Sequence, residues 1–252
     1  MNQMSKISII TPTFNCETYI EETIHSVQSQ SYNNWEMILV DDCSSDQTVN
    51  IIKSLAQKDS RVKLIQLEQN SGAAIARNTA IKYATGRYIA FLDADDLWKS
   101  QKLEKQISFM HRYQYAFSYS YYDLISENGE PLNKTIYAPK KLTYQTLLYN
   151  NAIGCLTAIY DTQILGKVYM PNIRKRQDYG LWLKLLRKIP AAYCLPESLA
   201  LYRVRKNSIS RNKLGLLRYN YQLFREYEKL SIPRSFYLVT CNILTKISKS
   251  LK

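Results

Sequence analysis

The sequence predicts an α/β fold: a mostly parallel, doubly wound sheet with an added antiparallel part and C-terminal helices. Three observations carry this. Between residues 6 and 92, β-branched runs alternate four times with segments of helical periodicity, the pattern of strand–helix–strand crossovers. Polar and acidic residues follow each of those runs, and sheets of this kind bind ligands beyond the carboxyl ends of their strands. The composition then shifts. Residues 1–110 have a net charge of −2 and 4 of the 21 tyrosines, whereas residues 111–252 have +15 and the other 17.

Each element has its own signal. Residues 6–10 (KISII) are a β-branched run stopped by Thr11-Pro12, which marks a buried strand. Residues 17–30 set Tyr19, Ile20, Ile24 and Val27 at helical spacing, with Glu17, Glu21 and Glu22 near the N-terminus, where the helix dipole favours acids. Residues 36–40 (EMILV) read as a second strand. Residues 46–57 read as a second helix, with Ile52 and Leu55 on its apolar face and Asp46 as its cap. A third strand over 62–67 leads to a third helix over 73–83, closed by Thr85-Gly86. Residues 87–92 (RYIAFL) are the fourth strand.

The second half is less regular. Residues 115–125 alternate loosely and meet ENGEP, which predicts an antiparallel hairpin. Helices are expected over 143–149 and 178–188; in the second, Trp182 reads equally as core or as the rim of a binding site. The tail, 211–252, reads as basic amphipathic helices. Phe236, Val239, Thr240, Ile243, Leu244, Ile247 and Leu251 share one face, bordered by Lys246, Lys249 and Lys252. Such a helix either docks on its own domain or lies in an anionic membrane surface.

Several functions are excluded. The seven glycines are never closer than twelve residues apart, so neither a G-x-G-x-x-G dinucleotide motif nor a P-loop exists. Two histidines, His25 and His111, cannot build a His-rich zinc site. Five cysteines without a C-x-x-C read as reduced, mostly buried thiols of a cytosolic protein. The N-terminal apolar run is too short for a signal peptide, and no run of about 20 apolar residues predicts a spanning helix.

Five carboxylates stand at two strand ends: Asp41 and Asp42, then Asp93, Asp95 and Asp96. Like charges this dense call for a counter-cation, and oxygen donors suit a hard divalent ion, Mg²⁺ or Mn²⁺. Alternation along an extended chain would aim Asp93 and Asp95 to one side. A nucleoside diphosphate is the natural companion of such an ion, and without a glycine-rich loop an arginine must help neutralise it. Arg77, in SGAAIARN, is the first candidate; by spacing alone it reads equally as a solvated helix arginine.

These blocks, SIITPTFNCETY, VDDCSSDQT, NSGAAIARN and LDADDLW, resemble the glycosyltransferase family 2 domain with the GT-A fold. The resemblance is strong over residues 5–110 and continues through RQDYGLWLKLL (176–186) and LYRVRKNSIS (201–210). It implies that residues 1–110 bind a nucleotide-sugar donor and that 111–210 complete the same domain around the acceptor and catalytic base; 211–252 follow as the basic amphipathic C-terminal helices. It implies that Thr11, Pro12, Phe14 and Asn15 line the nucleotide pocket, that Asp42 bonds the base (typically uracil), and that Gly72 and Arg77 belong to the donor site. Asp93 would lie toward the ribose and Asp95 on the metal. Asp178 would be the catalytic base, although pattern alone reads it as the N-cap of a helix over 179–188. Two departures stand out. Gln177 replaces the acid that often precedes the base, and Arg205 replaces a histidine that many relatives carry, which turns Arg203 or Arg205 toward the diphosphate.

What the resemblance implies is an inverting, metal-dependent transfer of one sugar to a glycan or polyprenyl-diphosphate-linked acceptor, in the cytoplasm at the inner face of a bacterial membrane. O-antigen, capsule and lipopolysaccharide assembly are the contexts that go with it. The Q-x-x-R-W motif of processive members is absent. A sugar nucleotidyltransferase would open with a glycine-rich loop, which TPTFNCETY lacks. A nucleic-acid binder would accommodate the net +13 and the tyrosines but not the converging carboxylates, so no nucleic acid is expected.

Overall fold

The computed structural model describes residues 5–205 and 213–250. Strands β1 (Ile7–Thr13), β2 (Trp35–Asp41), β3 (Val62–Gln66) and β4 (Tyr88–Phe91) alternate with helices α1 (Ile20–Gln28), α2 (Thr48–Lys58) and α3 (Ala73–Tyr83). These four strands pair in parallel in the order β3-β2-β1-β4. Their side chains point alternately to two faces. Ile10, Ile38, Val40, Ile89 and Phe91 face α3, while Ile7, Ile9, Met37 and Leu39 face α1 and α2. The expected doubly wound half is therefore present, with element ends within three residues of expectation.

The sheet does not stop there. Beyond a short β5 (Leu97–Trp98) and α4 (Lys102–Tyr113) it continues through β6 (Phe117–Ile125), β7 (Pro131–Ile136), β8 (Lys141–Leu142), β9 (Ile159–Asp161) and β10 (Ala192–Arg203). The main order is β3-β2-β1-β4-β9-β6-β10-β5, with β9 antiparallel to β4 and β6, and β10 parallel to β6. The hairpin β6–β7 matches the ENGEP expectation, with Gly129 in the turn at φ 87°. Strand β10 was not foreseen. Its alternation breaks at exposed Pro196 and Glu197, and the register against β6 shifts between Leu195 and Ser198.

The helices of the second half are α5 (Tyr144–Tyr149), α6 (Thr162–Leu165), α7 (Gln177–Leu186), α8 (Lys213–Gln222) and α9 (Ile232–Ser250). Trp182 of α7 is fully buried edge-on to Phe91, 5.3 Å between ring centres, so its place is the core. Helix α7 also packs closely on the C-terminal part: a Cβ on Gly180 would lie 2.4 Å from Pro171 and 3.0 Å from Leu223. Buried Glu228 bonds Arg187 at 2.7 Å and Tyr144 at 2.6 Å, tying the segment before α9 to α5 and α7. Helix α9 docks through Ser235, Leu238 and Asn242, and Ile232, Phe236, Tyr237 and Leu244 stay exposed. Leu251 and Lys252 lie outside the described residues, as do the side chains of Lys246, Ile247 and Lys249.

Three smaller expectations are corrected. Gly86 is not a left-handed cap. It is required because a Cβ there would meet the Ser8 nitrogen at 2.6 Å, where β1 and β4 come together. Asp178 lies inside the first turn of α7, and the cap position is Arg176 at φ 71°. Of the five free cysteines only Cys16 and Cys194 are buried; Cys155 and Cys241 are half-buried and Cys43 is exposed. No helix among the described residues is long and apolar enough to cross a membrane.

Candidate active site

The loops after β1, β2, β3 and β4 form one edge, and their polar side chains hold each other in place. Asp41 accepts from the Ser44 backbone at 2.8 Å and hydroxyl at 2.6 Å. Asp42 accepts from the backbone of Ser71 at 2.7 Å and Gly72 at 2.8 Å, which shapes the turn into α3. Gly72 sits there at φ 89°, a conformation that side chains resist. Asn15, at φ 44°, receives the Ser45 N–H at 2.8 Å and donates its own N–H to Ser44 at 2.9 Å. Phe14 is half exposed beside them, Pro12 lies in β1 opposite Val40, and the buried Thr11 hydroxyl has no partner.

The acidic cluster is not five equivalent ligands. Asp41 and Asp42 are buried and spent on backbone N–H groups and, for Asp41, the Ser44 and Thr13 hydroxyls. Asp96 is also buried and accepts the Arg203 N–H at 2.9 Å. Residues 93–96 make a tight turn, closed by the Asp96 N–H on the Asp93 carbonyl at 3.1 Å, rather than an extended run. Asp93 and Asp95 remain as the partly exposed pair, and each already carries an arginine. Arg77 lies 2.5 Å from Asp93 and Arg205 lies 2.8 Å from Asp95. The counter-cations that the sequence demanded are thus built into the chain.

The three arginines differ. Arg77 is buried, not solvated; besides Asp93 it donates to the Gln177 amide oxygen at 3.3 Å, and its Nε has no partner. Arg203 is fully committed. It bonds the Asp95 carbonyl at 2.8 Å, the Glu127 carbonyl of the β6–β7 turn at 3.0 Å and Glu22 of α1 at 2.5 Å. Among the described residues Arg205 bonds Asp95 alone, and its Nε is buried without a partner. Both Arg203 and Arg205 stack on Tyr19, at 5.1 and 5.0 Å from the ring centre.

Charge balance follows from these contacts. Burial, then Asp93, raises the Asp95 pKa despite Arg205. Burial, then Asp95 and Asp93, raises Asp96 well above the ordinary carboxylate range. Burial works against the charge on Arg77 and Arg205, but their carboxylate partners outweigh it and raise both pKa values.

Gln177 and Asp178 open α7 from the opposite side. Asp178 is half-buried and accepts from the Asn151 amide at 3.4 Å. The charges of Asp93 and Asp178 both act on Arg77 and on the Cys155 thiol, whose pKa burial pushes far up. Asp93, Arg77, Asp178 and Cys155 therefore lie within electrostatic reach of one another. The sequence had no signal for Asn151, Cys155, Glu22 or Glu127. In the sequence Tyr19 shows only as a helix-face residue. A recess lined by Arg87, Tyr88, Met110, His111 and Asp161 lies at the other end of β4 and shares none of these groups.

A divalent ion is testable against this donor set. No group of three or more His, Cys, Asp or Glu among the described residues can hold an ion alone. Two carboxylates, Asp93 and Asp95, do fit an ion that takes its other ligands from a diphosphate and water. The orphaned Nε atoms of Arg77 and Arg205 likewise await acceptor oxygens.

This edge sits on a mixed, mostly parallel α/β sheet of the GT-A type. Residues 8–162 match the family described as "Glycosyl transferase family 2", and the chain belongs to that family and is a glycosyltransferase. It is 50% identical over 229 residues to TuaG of Bacillus subtilis (strain 168), covering 91% of each chain; that protein's name assigns it to teichuronic acid biosynthesis. It is 42% identical over 235 residues to WfgD of Escherichia coli, named UDP-Glc:alpha-D-GlcNAc-diphosphoundecaprenol beta-1,3-glucosyltransferase, covering 92% of this chain and 90% of that one. Among solved structures, Staphylococcus aureus TarS 1–349 in complex with UDP-GlcNAc has the same fold, with a TM-score of 0.70 at 23% identity over 93% of this chain and 70% of that one.

Proposed function

We propose that this enzyme is an inverting, metal-dependent glycosyltransferase. It moves one sugar from a UDP-linked donor to a hydroxyl of a lipid-diphosphate-linked saccharide during assembly of a bacterial surface polysaccharide. The donor and acceptor classes are supported by the 42% identical relative, whose name specifies UDP-Glc and a diphosphoundecaprenol acceptor. The observation that carries the reaction type is Arg77, which joins Asp93 on the donor side to Gln177 on the helix that bears Asp178.

In this reading Thr11, Pro12, Phe14, Asn15, Asp42 and Gly72 surround the nucleotide, with Asp93 toward the ribose. Asp178 takes the proton of the attacking hydroxyl as its oxygen bonds to the anomeric carbon. The bond from that carbon to the diphosphate oxygen breaks on the opposite face, and the diphosphate leaves with the electron pair. Arg77 and Arg205 offer guanidinium N–H groups to its growing charge. Mg²⁺ or Mn²⁺, held by Asp95 and Asp93, would supply further charge neutralisation to the diphosphate. No covalent enzyme intermediate is needed, which agrees with a site that has no Ser–His pair and a Cys155 thiol too hard to ionise.

The test is a nucleotide-sugar panel with Mn²⁺, run on wild type, Asp178→Asn and Asp95→Ala. Asp178→Asn is expected to lower kcat roughly 10²- to 10⁴-fold with little change in donor KM. Asp95→Ala is expected to abolish stimulation by metal. Full transfer by Asp178→Asn would remove the base assignment, and unchanged metal stimulation in Asp95→Ala would remove the ligand.

We also propose that α9 brings the enzyme to the membrane's inner, cytoplasmic face. Its exposed Ile232, Phe236, Tyr237 and Leu244, within a half of the chain that carries +15, suit an anionic lipid surface.

A further inference from the structure

Arg205 occupies a position on Asp95 that a metal ion would also want. Its guanidinium lies 2.8 Å from one Asp95 carboxylate oxygen and stacks 5.0 Å from the Tyr19 ring centre. Neighbouring Arg203 is anchored to Glu22, to Glu127 and to the Asp95 carbonyl. Arg205 has no such anchors among the described residues, and its Nε lacks an acceptor. Of Arg203 and Arg205, it is the one able to leave its carboxylate without breaking contacts between elements.

We propose that Arg205 and the divalent cation exchange places on Asp95. Without donor, Arg205 neutralises Asp95 and its positive charge repels a second cation from the same oxygens. A diphosphate changes both sides of the balance. It offers phosphate oxygens to the Nη and the orphaned Nε together, which satisfies more of the guanidinium than Asp95 does. Asp95 is then released to the cation. The metal therefore enters with or after the donor, not before it, and by linkage each tightens the binding of the other. The arginine at position 205 is in this way a gate on the metal site. This inference rests on Asp95 being the metal-side carboxylate of a nucleotide-diphosphate site.

The experiment measures Mn²⁺ binding by the paramagnetic signal of the free ion, and UDP binding by calorimetry. Wild type, Arg205→Gln, Arg205→Lys and the double variant Arg205→Gln/Asp95→Asn are compared, each first checked for an unchanged melting temperature. With Mn²⁺ alone, Arg205→Gln is expected to bind about tenfold more tightly than wild type, the worth of one charge-assisted pair. Arg205→Lys, which keeps the charge, should stay near wild type, and the double variant should lose the gain. Equal Mn²⁺ affinity in wild type and Arg205→Gln would overturn the exchange, and so would a gain that survives Asp95→Asn. If UDP binds wild type while those metal results fail, only the exchange is lost. If UDP binds neither with nor without Mn²⁺, the donor-site assignment falls as well. Wild type alone already tests the order: Mn²⁺ bound as tightly without UDP as with it overturns the proposal, whatever the variants do.

Discussion

Lys102 shows what a single buried charge does here. Its side chain is fully buried, 4.6 Å from the Trp98 ring centre, and its ammonium donates to Gln106 at 2.7 Å with no carboxylate in reach. Burial pulls its pKa down from 10.5 to about 7. A lysine depressed in the folded state costs stability wherever it must be charged. The unfolded chain binds more protons between about pH 7 and 10.5, so this group's contribution rises with pH across that window and is lost below it. Lys102→Met is therefore expected to stabilise the protein most below pH 7, by about 2–4 kcal/mol relative to its effect at pH 10.5. Urea melts of both proteins at pH 6 and pH 10 check this, and a pH-independent difference would show that Lys102 is not charged-and-buried. Its amide neighbour Gln106 also donates to the Thr157 carbonyl at 2.9 Å, and Trp98 donates to the Leu156 carbonyl at 2.8 Å. These bonds fix the Cys155–Thr157 turn that borders the site, so the variant is a stability probe rather than a catalytic one.

Helix α7 is the element on which the chemistry turns. Its first turn carries Gln177 and Asp178, and its buried face carries Tyr179, Leu181, Trp182, Leu183, Leu185 and Leu186. The hydroxyl of Tyr179 donates to the Leu147 and Leu148 carbonyls at 2.8 and 3.0 Å, which anchors α5 just before Asn151. Gly180 lets the helix approach Pro171 and Leu223. Proline cannot swing aside, so Gly180→Ala is expected to force α7 outward at a cost of about 1–3 kcal/mol. A fall in melting temperature of several degrees would record it. An unchanged melting temperature would mean that this contact is looser than its geometry states. Most of α7 was legible, because its apolar residues recur at helical spacing. Its exact start was not, because a cap at Arg176 in the left-handed region leaves no side-chain signature.

At the scale of the whole molecule, Arg203 gathers the site. One side chain joins α1 through Glu22, the 93–96 turn through the Asp95 carbonyl, and the β6–β7 turn through Glu127. The C-terminal helices are likewise part of the body rather than a loose appendage, since Glu228, Leu238 and Asn242 are buried against α5 and α7. Among the described side chains, α9 leaves Ile232, Phe236, Tyr237 and Leu244 outside. Phe236 and Tyr237 also meet the Tyr221 and Tyr149 rings, 4.8 and 6.3 Å between ring centres, so replacing them and Leu244 together by serine is expected to cost about 1–2 kcal/mol of stability. Co-sedimentation with anionic liposomes at low salt is expected to drop severalfold. Failure of the wild-type protein to sediment with such vesicles would discard the membrane role.

The sequence alone determined the doubly wound half, the family and the residues at the strand ends. Parallel strands buried on both faces need continuous apolar runs, and crossover helices need amphipathic ones, so both leave periodic traces. The five aspartates were legible as a cluster, but their division of labour was not. Tertiary structure decided that Asp41, Asp42 and Asp96 hold backbone, that Asp93 and Asp95 pair with Arg77 and Arg205, and that Arg203 is consumed by packing. It also decided that β10 completes the sheet and that Asn151 reaches Asp178. Apart from the local Asp41–Ser44 pair, these are contacts between residues 16 to 181 positions apart. No local period encodes such pairs, because they arise only when separate elements, each following its own pattern, are packed into one edge.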